Sequence, residues 1–209
     1  PWGVLVMLSL VTAVASALLD NVTTVLLIIP VALLITEELK VSAYPYLFSM
    51  IFASNIGGTS TLIGDPPNIM IGSAVGLTFN DFVVNLSPVI IVIMAATMVP
   101  IYLIWGRKLH AAPEDRRRVM EFNEREAITD PVLLKKCLAV IAAVISGFIF
   151  AHSLGVEAAT VAMFGAAALL LLQCWPHDAE EQSKHTHHAF AEVEWITIFF
   201  FVGLFIVVH

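Results

Sequence analysis

Long apolar segments separated by short polar ones dominate the chain. The apolar runs cover 2–36, 44–77, 82–105, 132–152, 156–175 and the residues from 195 onward. A helix of about 20 residues crosses the roughly 30 Å hydrocarbon core of a membrane. The pattern therefore predicts an all-α integral membrane protein built from several spans.

The first apolar run is too long to be a single span. As one helix, 2–36 would be about 50 Å long. It must break, and Asp20 with Asn21 is the polar point near its middle. Two layouts fit: a pair of spans with Asp20 at a membrane interface, or a re-entrant hairpin whose tip lies at mid-depth.

The run 44–77 is interrupted by a polar stretch, 55–68, which is rich in glycine, proline and hydroxyl residues and contains one acid. Non-helical backbone at membrane depth is found only where protein or a water-filled cavity surrounds it. A helix broken in this way commonly forms the ion or substrate site of a transporter. The segment 78–81 then predicts a turn and a helix start, followed by a full span over 82–105.

Composition and charge agree with this picture. Hydrophobic residues make up 59% and charged residues 13%, with a mean hydropathy of +0.90; a soluble chain has about 25% charged residues. Eight of the ten Lys and Arg residues lie within 106–136, and the positive-inside rule places such a segment in the cytoplasm. The net charge of −7 comes without a basic run interleaved with aromatics, so we expect no nucleic-acid partner.

These features divide the chain into three parts. We expect a transport region at 1–105, a cytoplasmic linker with a short surface helix at 106–131, and a third part at 132–209. The third part would hold two spans, a His-bearing cytoplasmic loop at 176–194 and the start of another span. Both ends lie inside apolar runs, so we expect a fragment of a longer permease.

Asp20 and Asp65 are the charges most informative about function. A carboxylate at the bilayer centre costs about 2.5–3.5 kcal/mol on insertion scales, and such groups usually mark ion pathways. The nearby amide and hydroxyl oxygens suit a hard cation. Free N–H groups after Pro67 would equally suit an anion, and both acids could instead be caps at a membrane interface without a transport role. The candidate ion- and substrate-binding residues are Asp20, Asn21, Thr23, Thr24, Asn55, Gly57, Gly58, Thr59, Thr61, Gly64, Asp65, Pro66, Pro67 and Asn68, of which Asn21, Thr23, Asp65 and Asn68 are candidate Na⁺ ligands.

Other chemistries are less well supported. No Gly-Lys-Ser/Thr follows the glycine-rich stretch, which argues against a phosphate-binding loop. His185, His187 and His188 match no strong zinc spacing, and we interpret them as a solvated tract. Cys137 and Cys174 are interpreted as reduced packing residues. We therefore predict no catalytic residue and no enzyme, with Na⁺ or H⁺ as the coupling ion and no other cofactor.

Several motifs together resemble a known family. They are SALLDNVTT at 16–24, NIGGT at 55–59, GDPPN at 64–68, and Val193-Glu194-Trp195 followed by FFFVGLF at 199–205. The chain resembles the ArsB/NhaD permease group of the ion transporter superfamily, which carries a citrate transporter-like domain, and within that group the melanosomal P protein-like branch.

The resemblance implies an inverted-repeat, dimeric secondary transporter that works by an elevator motion. This chain would hold one repeat and the start of the second. Asp20 and Asn21 would lie at the tip of a re-entrant hairpin facing the unwound loop 64–68, and the two would form one site. The implied setting is a multi-pass protein of the bacterial inner (plasma) membrane, surrounded by lipid.

One departure from the superfamily bears on the substrate. Its sodium-coupled dicarboxylate members carry a hydroxyl residue where Asp20 and Asp65 stand. Two extra carboxylates would repel a dianion unless they were protonated or paired with cations. We therefore expect a Na⁺/H⁺ antiporter-like activity in which Asp20 or Asp65 titrates. The alternatives are a permease for inorganic or organic anions (arsenite, chloride, citrate or dicarboxylate), a membrane metalloenzyme that uses the His tract, and a purely structural membrane subunit.

Overall fold

The computed structural model describes residues 1–121, 130–175, 178–193 and 195–208; most of these residues are helical and none is in a β-strand. Three helices are long and apolar enough to cross a membrane: Asn21–Glu38, Phe79–Gly106 and Pro131–Leu154. The predicted all-α fold is confirmed for the described residues, with three helices that could span a membrane. The helices are α1 (Trp2–Ser16), α2 (Asn21–Glu38), α3 (Tyr44–Gly58), α4 (Pro66–Val75), α5 (Phe79–Ile101, continued by a π-helical turn at Tyr102–Gly106), α6 (Pro113–Met120), α7 (Pro131–Leu154), α8 (Ala158–Cys174), α9 (Ala179–Ala191) and α10 (Trp195–Val208).

The chain divides into two compact units, Pro1–Glu124 and Arg125–His209. Both of the interruptions seen in the sequence lie in the first unit. Its largest helix contact joins α1 and α3.

Helices α1 and α3 run parallel and are held together by hydroxyl groups. Tyr46 Oη donates to the carbonyl oxygen of Pro1 (3.0 Å), and the hydroxyls of Ser9 and Ser49 are 2.6 Å apart. Near the other end, a Cβ at Gly57 would collide with the backbone of Ala13. Small residues and interhelical hydrogen bonds are what pack helices closely inside a membrane. The α1–α3 pair is therefore a close-packed unit along its whole length.

Helix α2 runs back along this pair and contacts both α1 and α3. Helix α5 packs against α3. The buried residues of α2, Thr24, Ala32 and Thr36, recur at helical spacing and form one face. Ala32 belongs to a buried apolar cluster with residues of α1, α3 and the end of α5.

Aromatic side chains gather where α1 and α3 begin and α5 ends. The Trp105 ring lies 5.9 Å from that of Tyr44 and 5.2 Å from that of Phe48, and Trp2 packs edge-on against Tyr102 at 5.0 Å. Since Trp and Tyr concentrate at membrane–water interfaces, we refer to this part of the unit as the aromatic end.

The predicted segment 78–81 begins α5, as expected. Thr78 and Asp81 form a capping box, in which each side chain bonds to the backbone of the other residue. This arrangement satisfies two N–H groups that a helix start would otherwise leave free.

Helix α6 is docked on the end of α2 by charge. Asp115 is only 7% exposed, lies 3.4 Å from Lys40 Nζ, and bonds to the guanidinium of Arg118. Arg118 is also 4.0 Å from Glu38. A nearly buried carboxylate with two cationic partners can remain charged. Residues 122–129 of the expected linker lie outside the described residues.

The second unit contains a helical hairpin. Asp130 caps α7 by accepting from the N–H groups of Val132 and Leu133, both at 2.9 Å. Gly155 ends α7 with a φ of 64°, a left-handed conformation that suits glycine. Helix α8 then packs back against α7.

The segment 176–194, expected to be a loop, contains helix α9 at Ala179–Ala191. The reason is local: Ala, Glu, Gln and Lys are strong helix formers. Lys184 also bonds to Glu180 at 2.9 Å across one turn. We therefore correct the loop to a polar helix, with 176, 177 and 194 outside the described residues.

Candidate functional site

The first break in the apolar runs lies at the predicted position. Helix α1 ends at Ser16 and α2 begins at Asn21, with Asp20 as its N-cap. Asp20 Oδ1 accepts from the N–H groups of Val22 (2.9 Å) and Thr23 (3.0 Å). Aspartate is among the best N-cap residues because it satisfies such N–H groups. Asp20 therefore has a structural role at the start of α2.

The second break is the loop 59–65 between α3 and α4. Side chains form hydrogen bonds with backbone N–H and carbonyl groups of this loop. Asn68 is buried, and its Nδ2 donates to the carbonyl oxygens of Thr59 (3.1 Å) and Thr61 (2.8 Å). Thr61 Oγ1 accepts from the N–H of Gly64 at 3.0 Å. Non-helical backbone at membrane depth requires such partners.

Glycine allows this loop to fold back on the end of α3. A Cβ at Gly58 would lie 2.5 Å from the carbonyl oxygen of Gly64, and a Cβ at Gly64 would lie 2.5 Å from that of Gly58. A Cβ at Gly64 would also lie 2.5 Å from the carbonyl oxygen of Ser16. Both glycines are therefore needed for the loop to close against α1.

Asp65 stands at the start of α4 but makes no cap hydrogen bond with its side chain. Pro66 and Pro67 occupy the first two helical positions and have no N–H to donate. The N–H of Asn68 goes to the carbonyl oxygen of Asp65 at 2.9 Å. The half-buried carboxylate is thus left for other partners, and few N–H groups remain at this helix start for an anion.

Hydrogen bonds tie the two breaks together. Thr61 Oγ1 donates to the carbonyl oxygen of Ala17 at 2.6 Å, and Asn21 Nδ2 donates to Asn55 Oδ1 at 3.1 Å. The Ser16 hydroxyl donates to the carbonyl oxygen of Ser54 at 2.7 Å. These bonds join residues beside Asp20 to the end of α3 and to the loop 59–65.

Oxygen atoms remain available at this junction. Thr24 is fully buried, one helical turn beyond Asn21, and its hydroxyl has no hydrogen-bond partner among the described residues. A buried polar group without a partner costs about 1–3 kcal/mol, which a bound ion or water can offset. Asn21 and Asn68 both use their amide nitrogens on protein oxygens, and their Oδ1 atoms are acceptors that suit a cation or a donor.

Several residues of this junction were missing from the candidate set. Ser16 and Ala17 join the two breaks, and Ser87 of α5 donates to the carbonyl oxygen of Ser60 at 3.4 Å. The sequence feature that could have indicated Ser16 is the series of hydroxyl residues along α1, Ser9, Thr12 and Ser16, all of which are buried.

The His tract and the cysteines lie elsewhere, in the second unit. His188 Nδ1 is 3.9 Å from Glu192, and both side chains are exposed. Among the described residues, no group of three or more His, Cys, Asp or Glu side chains is placed to hold a metal ion. Cys137 and Cys174 are free thiols.

Comparison with known proteins identifies the family. A family model described as citrate transporter matches residues 1–209. The chain belongs to the citrate transporter family. This finding confirms the resemblance to the ArsB/NhaD group.

Relatives of this citrate transporter family chain come from bacteria and animals. An uncharacterized transporter of Mycobacterium tuberculosis is 44% identical over 208 residues, which is 100% of this chain and 46% of that protein. The "46 kDa membrane protein" of Mycobacterium leprae is 43% identical with the same coverage. The human "P protein" is 27% identical over 279 residues, covering 100% of this chain and 32% of that protein. The chain thus spans less than half the length of these relatives.

Proposed function

We propose that the chain supplies one half of the ion and substrate site of a secondary active transporter coupled to Na⁺ or H⁺. One observation carries the proposal: two interrupted helices are hydrogen-bonded to each other at their breaks, beside a carboxylate without a cap bond. Paired breaks of this kind form ion sites in transporters. A purely structural subunit could also use these bonds for stability, but it would not need the carboxylate of Asp65 beside them.

The depth of the junction follows from α5. The 28-residue helical stretch Phe79–Gly106 is about 42 Å long. The bond from Ser87 to Ser60 places the loop 59–65 about 12 Å along the helix from Phe79. If this stretch is centred in a hydrocarbon core of roughly 30 Å, the breaks lie inside the core.

This depth favours the re-entrant layout for the first apolar run. The run begins at the aromatic end, where Trp2 packs on Tyr102, and its break is tied to Thr61. It then returns to the aromatic end, where Arg118 and Lys40 lie near the end of α2. Although α2 is long enough to cross a membrane, we propose that α1 and α2 enter and leave on one side, with Asp20 at the tip.

The free carboxylate suggests how transport is coupled. We propose that Asp65 binds the coupling cation or proton, together with the free oxygens of Asn21, Thr24 and Asn68. Carboxylate, amide and hydroxyl oxygens are the ligands that a hard cation prefers. The activity that fits best is Na⁺/H⁺ antiport.

The second candidate is an anion permease, and the family's description as citrate transporter favours it. Asp20 and Asp65 would repel a tricarboxylate at this junction unless cations or protons accompanied it. In this case the acids would hold the cation that enters together with the anion.

The remaining features of the proposal concern the whole transporter. We propose an inverted-repeat homodimer of the bacterial inner membrane that moves its site by an elevator motion. The α6 linker would lie in the cytoplasm, because Arg and Lys concentrate in that segment.

The test uses the full-length transporter that carries this chain, reconstituted in proteoliposomes with a pH-sensitive dye inside. Na⁺ or Li⁺ is added outside to wild type, to Asp65→Asn and to Glu157→Gln, an exposed acid at the start of α8 that makes no side-chain cap bond. We expect cation-driven proton movement in wild type and Glu157→Gln, and none in Asp65→Asn. If folded wild type gives no response but takes up labelled citrate, the anion permease replaces the antiporter.

A further inference from the structure

A small basic pocket lies at the aromatic end of the first unit, away from the transport site. Its volume is about 280 Å³. Lys40, Ser42, Lys108 and His110 supply its polar wall, and Trp105 and Pro45 are part of its apolar wall. The lining residues come from the α2–α3 connection with the start of α3, and from the π-helical turn that continues α5 with the segment after it.

The pocket is placed where lipid headgroups would be. Trp105 belongs both to its wall and to the aromatic cluster with Tyr44 and Phe48. Aromatic clusters of this kind sit at the headgroup level of a membrane. Lys108 follows the long apolar stretch that ends at Gly106 by two residues, so its ammonium can reach the headgroup layer.

The lysine side chains of the pocket are not fully neutralised by ion pairs. Lys40 lies 3.4 Å from Asp115, but that carboxylate also binds Arg118. Lys108 has no ion pair with another described residue. The wall therefore presents one shared and one unshared ammonium group, with His110 and the Ser42 hydroxyl beside them.

The backbone at Lys40 is strained. Among the described residues, Lys40 is the non-glycine residue with a positive φ, 51°. It follows the end of α2, a position at which glycine is the usual residue because it has no Cβ to clash. Placing a lysine there costs stability, which a function for its ammonium group would explain.

We propose that this pocket binds the phosphate headgroup of an anionic membrane lipid. The ammonium groups of Lys40 and Lys108 would hold the phosphate, while Trp105 and Pro45 would contact the glycerol and the first acyl carbons. A free phosphate ion would use only the basic wall, so the apolar wall favours a lipid. Basic pockets between helices on the cytoplasmic side of membrane proteins bind anionic headgroups in this way.

The test is native mass spectrometry of the detergent-solubilised full-length transporter with phosphatidylglycerol or phosphatidylcholine added. Wild type should retain phosphatidylglycerol preferentially, and Lys108→Gln should lower that preference about fivefold, the effect of one basic residue near anionic lipid. Lys40→Gly should also lower it; this variant loses the pair with Asp115, but Arg118 still pairs with that carboxylate and the backbone strain is relieved. The matched control is Arg107→Gln, which removes the same charge beside Lys108 from a residue that does not line the pocket.

Three results would overturn the proposal. Equal losses in Arg107→Gln and Lys108→Gln would mean that only the general surface charge attracts lipid. Equal retention of the two lipids by wild type would exclude an anionic-lipid site. Complete displacement of phosphatidylglycerol by millimolar inorganic phosphate, with no effect of phosphatidylcholine, would identify the ligand as free phosphate.

Discussion

Thr61 Oγ1 lies 2.6 Å from the carbonyl oxygen of Ala17, to which it donates, and it accepts from the N–H of Gly64 at 3.0 Å. One hydroxyl therefore completes the end of α1 and also shapes the loop 59–65. Because Ala17 and Thr61 lie at the breaks of two different helices, this bond resists a shift of one break relative to the other. The two breaks behave as one structural element.

Replacing Thr61 with the nearly isosteric valine should uncouple the breaks. Thr61→Val leaves the Ala17 carbonyl and the Gly64 N–H without their partner, at a cost of about 1–3 kcal/mol for each group that water cannot reach. We expect a lower unfolding temperature in detergent and a large loss of transport. Thr61→Ser should restore both.

The control for this change is Thr97→Val. The Thr97 hydroxyl bonds only to the Ile93 carbonyl within α5, at 2.8 Å. If Thr97→Val were as damaging as Thr61→Val, the effect would come from the loss of a hydroxyl in any membrane helix.

Gly57 should tolerate no side chain. A Cβ there would overlap backbone atoms of Ala13, and neither helix can give way by a rotamer change. We expect Gly57→Ala to separate α1 from α3 and to destabilise the protein by about 1–3 kcal/mol, as overpacking does. Gly3→Ala, which meets nothing within 4 Å, should be neutral or stabilising in the same thermal unfolding assay.

The positions of the two breaks could be predicted from local sequence, but the hydrogen bonds that join them could not. Polar residues inside apolar runs predicted both breaks, and Asp20 as a cap follows from its residue type. The bonds from Ser16 to Ser54 and from Thr61 to Ala17 join residues about 40 positions apart, so no local pattern reveals them. The sequence could not distinguish the Thr24 hydroxyl from that of the adjacent Thr23. Only the packing of α2 decides which of the two is buried without a hydrogen-bond partner.

Two substitutions of Asp20 should distinguish its role as a helix cap from the effect of its charge. Asparagine caps a helix about as well as aspartate, whereas alanine costs about 0.5–2 kcal/mol. We therefore expect Asp20→Asn to keep the unfolding temperature of wild type, and Asp20→Ala to lower it. Equal destabilisation by both variants would mean that the charge of Asp20, and not its cap bonds to Val22 and Thr23, stabilises the start of α2.

Asn68 should be indispensable as a donor. Its Nδ2 donates to the carbonyl oxygens of Thr59 and Thr61, and its Oδ1 is one of the oxygens that we propose for the coupling cation. Asn68→Asp would remove the donor and place a carboxylate against two carbonyl oxygens in a buried site, an arrangement that burial makes costly. We expect this variant to lose transport and to unfold at a lower temperature. The contrary result is an Asn68→Asp protein that folds normally and transports with an altered cation preference. It would show that the loop keeps its shape without the donor. It would also show that position 68 contacts the ion.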